Sequence, residues 1–166
     1  MFAIACSADD PVVQGTPPPS VSPPAVPASC TPIRSPQVIG KDHIEDGGKA
    51  SYNSTPPTSG NHYRRPIAAG VYTEPVQNER QVHNLEHGHV LVQYRDLEAG
   101  QVAALEAIVR QDPRMMLMAP YPDMDPKVAL TSWGKIQTCD AWSDQVSQLL
   151  RYFVHLNRDN APESVL

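Results

Sequence analysis

His83-Asn84-Leu85-Glu86-His87 places two imidazoles four positions apart, so that on a helix both leave the same face, with the Glu86 carboxylate close by. Metal ions are held by this spacing, but two ligands do not complete a coordination sphere. A third donor must come from elsewhere in the chain, and His62 in Ser59-Gly60-Asn61-His62-Tyr63 is the best placed, because turn-rich loops can aim a side chain at a scaffold. Downstream lie Met115, Met116, Met118 and Met124. Thioether needs no deprotonation and selects Cu(I). The expected set is therefore His62, His83, His87 and Met118 around copper, Cu(I) ahead of zinc, with Met116 and Met124 as alternate sulfur donors. Glu86 would orient an imidazole by accepting its second N–H. Two other readings stand beside this one. A methionine run also suits adaptable core packing, and His83-x-x-Glu86-His87 fits the H-x-x-E-H pattern of inverted zinc peptidases, with Glu86 as general base. His89 follows the helix-ending Gly88, and His43 and His155 have no histidine near them in sequence; these three read as structural or solvated.

The elements that would carry these groups follow from periodicity. Asn78 to His87 predicts a short helix capped by Asn78, with Val82 and Leu85 as its apolar stripe and Gly88 as its stop. His89 to Tyr94 predicts a buried strand and Leu97 to Arg110 an amphipathic helix. Met115 to Ala119 and Val128 to Ile136 predict two more strands around a proline-forced turn, and Ser143 to Asn157 a final helix. Alternation in the first of these strands sets Met116 and Met118 on one face and Met115 on the other. Residues 41 to 75 read as an ordered loop anchored by Tyr52, His62, Tyr63, Ile67, Val71 and Tyr72. The sum is an α+β fold: a small mixed or antiparallel sheet packed with two to three helices, in a single domain.

Composition bounds the setting. Net charge is −5 and no basic run exceeds Arg64-Arg65, which argues against nucleic acid as a partner. No stretch reaches the ~20 apolar residues of a membrane span. Half of the 18 prolines fall between Pro11 and Pro36, so residues 6–40 read as an extended linker and 41–166 as the globular domain. Ala3-Ile4-Ala5-Cys6 is similar to a bacterial lipobox, which makes residues 1–5 the remnant of a signal segment and Cys6 a lipid attachment point. Cys30 and Cys139 are then left either as one disulfide of an oxidising compartment or as two unrelated thiols.

Four stretches in order, Pro56-Pro57-Thr58-Ser59-Gly60-Asn61-His62-Tyr63, Val82 through Gly88, Ala119-Pro120-Tyr121-Pro122 and Ala129 through Gly134, resemble the bacterial family catalogued as domain of unknown function 3105. The likeness runs from about Gly47 to Glu163. It implies an extracytoplasmic domain anchored by a membrane helix or lipid, with copper bound by histidine and methionine, and it aligns His62, His83 and His87 with the family's histidines and Met118 with the approach to its Ala-Pro-Tyr-Pro segment. This chain departs from the pattern in having Asn61 where the family is expected to carry Pro, and in lacking an N-terminal membrane helix, which turns attachment toward Cys6. The functional expectation is an envelope-tethered lipoprotein that stores or buffers copper or hands it to a transfer partner. A zinc-dependent hydrolase and a metal-free binding module are the alternatives.

Overall fold

A computed structural model describes residues 22–163. In chain order the elements are β1 (His43–Ile44), β2 (His62–Tyr63), β3 (Gly70–Val71), α1 (Asn78–Glu86), β4 (Val90–Tyr94), α2 (Ala99–Val109), β5 (Met116–Pro120), β6 (Val128–Ser132), β7 (Lys135–Cys139) and α3 (Asp144–Asn157). The main sheet has the order β3-β5-β4-β6-β7. Its first three strands are parallel and the last two antiparallel, so the fold is α+β with a mixed sheet. The parallel pairs require crossovers, and α1 and α2 supply them.

Two apolar layers cover the two faces. Val90, Val92, Met116 and Met118 pack with Leu105, Ile108 and Val109 of α2 and Leu149, Leu150 and Phe153 of α3. On the opposite face Leu91, Leu117 and Ala119 meet Val82 and Leu85 of α1, with Trp133 beside them. Full burial of a side chain such as Leu85 stabilises by roughly 1.5–3 kcal/mol, so α1 docks without any help from a metal. A buried polar link reinforces it: the Gln93 amide donates to Gln81 at 3.1 Å and to Thr131 at 3.0 Å.

Two expectations need correction. The stretch Val128 to Ile136 is not one strand but the hairpin β6–β7, which turns at Trp133-Gly134. Trp133 has strong strand propensity and hides the turn, whereas Gly134 at φ +64° makes it. The cap of α1 is Gln77, not Asn78, which is the first helical residue. Ahead of residue 41, Cys30 and Arg34 bridge to Cys139 and Ile136 along the outer edge of β7. That segment is fastened by a Cys30–Cys139 disulfide and by Thr31 N–H and Arg34 N–H donating to Thr138 and Ile136 carbonyls, each at 2.8 Å. It covers an edge that would otherwise stand open. Cys6 and the signal remnant lie outside the described residues.

Candidate metal centre

The site forms where α1 meets the two-stranded parallel sheet β1–β2. Parallel register pairs His43 with His62 and Ile44 with Tyr63. The approach to β2 depends on Gly60, which sits at φ +131°, and any Cβ there would lie 2.9 Å from the Tyr52 ring. Gly60 N–H donates to the Gly40 carbonyl at 3.1 Å and His62 N–H to the Asp42 carbonyl at 3.0 Å, so the strap carrying His43 is laced to the loop carrying His62. On the other side Asn84 closes a reciprocal pair with Ile67: its amide donates to the Ile67 carbonyl at 2.8 Å, and its oxygen accepts from Ile67 N–H at 3.1 Å. At the end of α1, Gly88 adopts φ +81° and lets the chain leave for β4, with its Cα-side space closed by Asp159.

Three imidazoles converge here. His43, His62 and His83 each offer one ring nitrogen, and these three atoms all lie within 4.8 Å of one another. Ring centroids are 5.0 Å apart for His43–His62, 5.0 Å for His62–His83 and 5.2 Å for His43–His83. Nitrogens of one tetrahedral ion at ~2.0–2.1 Å would stand ~3.4 Å apart, so closing on a metal takes side-chain movements of little more than an ångström. His62 is fully buried, His83 nearly so, and His43 forms the exposed lip.

Hydrogen-bond partners fix which nitrogens are available. His83 Nδ1 faces the Tyr63 carbonyl at 2.5 Å; a carbonyl only accepts, so Nδ1 carries the proton and Nε2 presents its lone pair. That is the tautomer a ligand needs, held by a backbone carbonyl as metal-binding histidines usually are. Burial, then the neighbouring His62, His87 and His43, push the His83 pKa down and so favour the neutral ring, while the Tyr63 hydrogen bond pulls the other way. His62 Nδ1 donates to the Gly60 carbonyl at 2.8 Å, and its Nε2 lies 2.9 Å from Glu86 Oε2. Nε2 is thus the nitrogen that faces the carboxylate, and an ion entering the site would take the place of the proton between Nε2 and Glu86 Oε2.

Glu86 has no solvent exposure. Its Oε2 also lies 3.9 Å from His43 Nε2, while Oε1 is buried with no hydrogen-bond partner. A buried carboxylate in this state is partly unsatisfied, which is the condition a cation relieves. The indole of Trp133 stands edge-on to His62 at 6.4 Å and closes the inner side.

The expected ligand set is thus partly assembled and partly not. His62 and His83 are brought together. His87 touches the cluster only through His83, Nε2 to Nε2 at 2.8 Å, with its Nδ1 buried and unpartnered. Met118 and Met116 are not brought to the site: alternation along β5 points both into the layer shared with α2 and α3, and α1 lies across the sheet. Met124 is buried with Tyr121 and Ala129 instead. His43, read from sequence as structural or solvated, is the member that was missed. Its only signal is the β1–β2 register, which joins residues 19 apart through a pair of two-residue strands that no periodicity reveals. His89 hydrogen-bonds Asn84 at 2.7 Å, and His155 lies exposed on α3.

No helix of the described residues is long and apolar enough to cross a membrane. No curated protein and no solved structure matches the chain significantly. Residues 43–165, from the first histidine of the cluster almost to the C-terminus, match the family described as protein of unknown function DUF3105, and the chain belongs to that family.

Proposed function

We propose that this is an envelope-tethered copper-binding protein that stores, buffers or passes on the ion, holding it through His43, His62 and His83 with Glu86 as the compensating charge. The observation that carries the reading is the convergence of three imidazole nitrogens within 4.8 Å beside a buried carboxylate. Without a thioether, the donors are nitrogen and oxygen, which suit Cu(II) and Zn(II). In the divalent series copper is bound more tightly than zinc at such a site. Cu(I) calls for a thioether, and the Met118 side chain belongs to the other face of the sheet, so the divalent state is the better reading. Attachment through Cys6 and an extracytoplasmic location remain part of the proposal; the Cys30–Cys139 bridge supports an oxidising compartment.

Titration with Cu(II) and with Zn(II), read by elemental analysis and by the nitrogen couplings in the copper EPR spectrum, tests the site. One equivalent of copper with imidazole couplings is expected, lost in the His62→Ala, His83→Ala double variant. Equal copper uptake by that variant would remove the proposal.

A further inference from the structure

A pocket opens at the N-terminal end of α1. It has a volume of ≈ 340 Å³ and is walled by Tyr52, Tyr121, Pro75 and Pro122, with Glu79 and Asp123 supplying acid. Cavities that bind small molecules start at about 300 Å³, walled mostly by apolar and aromatic groups with a few polar ones. Glu79 is the unusual member: it is 4 % exposed, and it accepts one long hydrogen bond, 3.4 Å from Ala50 N–H to Oε1. Among the described residues no ion pair joins it to a cation; nearby Arg80 pairs with Asp46 instead, and Lys49 lines the rim without reaching salt-bridge distance of Glu79. A carboxylate buried this far is ordinarily paired.

We infer that this pocket binds an organic cation, a primary ammonium or guanidinium group on a short aliphatic chain, with Glu79 as its counter-charge and the tyrosine rings as its walls. An ammonium there would satisfy the carboxylate, and its chain would lie against prolines and ring faces, where a cation is attracted by the aromatic quadrupole. Exposed Asp123 at the mouth adds to the negative field. The inference is independent of the metal reading, because the pocket's lining includes none of His43, His62, His83 and Glu86.

The test uses the protein with chelator present, so that metal plays no part. n-Butylammonium and ethylguanidinium are titrated while backbone amide NMR signals are followed, with n-butanol as the neutral match and butyrate as the anion. Saturable shifts confined to residues 49–52, 75–79 and 121–123 are expected from the cations, with affinity falling about tenfold to a hundredfold in Glu79→Gln. Equal binding of n-butanol, shifts elsewhere on the surface, no saturable shift, or a Glu79→Gln variant that binds as well as the parent would each overturn the assignment. If that variant does not fold, the comparison of cation with n-butanol on the unaltered protein decides alone.

Discussion

His43→Ala separates the cluster seen in the fold from the one expected from sequence. Structural four-ligand zinc sites bind with an apparent ~10–16 kcal/mol, so one ligand in four is worth roughly 2.5–4 kcal/mol, or about 70- to 900-fold in affinity. His43 belongs at the low end of that range. Its side chain is 34 % exposed, it stands 3.9 Å from Glu86, and holding it in place costs it rotational freedom. A loss near a hundredfold is therefore expected for Cu(II), measured by competition against a chelator of known affinity. Folding should hardly change, because truncating an exposed side chain outside the core usually alters stability by within about 0.5 kcal/mol. His87→Ala should weaken binding less, since His87 meets the cluster only through His83, and exposed His155→Ala should have no effect. If His43→Ala binds copper like the parent while His87→Ala abolishes binding, the three-histidine cluster is not the ligand set and the reasoning from β1–β2 register fails.

Met118→Leu should leave copper affinity unchanged, and as a volume-conserving core exchange it should cost less than about 1.5 kcal/mol in urea unfolding; a large affinity loss would return sulfur to the site. Reduction of the Cys30–Cys139 bridge opens a closure of 109 residues, which in the chain-entropy treatment is worth up to about 4.8 kcal/mol. Urea midpoints of the oxidised protein and of Cys30→Ser, Cys139→Ser should differ accordingly, and equal midpoints would mean the edge strap contributes nothing. Acid should destabilise the metal-free fold. Burial first of all lowers the pKa of both His83 and His89, so below the ordinary histidine value near 6.5 the unfolded chain binds more protons than the folded one. Their contribution is complete above that value and is lost as pH falls through the folded-state pKa; unfolding at pH 7.5 and 5.5 measures it, and His83→Gln should flatten the slope.

Much of the fold was legible because it is written in local periodicity. The stripe of Val82 and Leu85 with Gly88 after it, the apolar run of β4 and the face of α3 each describe one element whose partner hardly matters. The same logic put His83 and Glu86 together on α1 and correctly set Met116 and Met118 on one face of β5. Which face could not be read, because alternation is symmetric and only the crossovers through α1 and α2 decide that these methionines look toward α2 and α3. The hairpin at Trp133-Gly134 was read through for a related reason: a strand-loving indole outweighs one glycine until pairing partners are known.

By itself, then, the sequence determined the types of its elements, the pair of imidazoles on a single helical face and the two cysteines available for a bridge, since all of these depend on neighbours within a turn or on composition. Tertiary structure alone decided that His43 joins His62 and that Met118 does not. Each outcome depends on which strand lies beside which, and that is settled by closing loops over 19 residues or more and burying the two sheet faces together, an energy that no single segment carries.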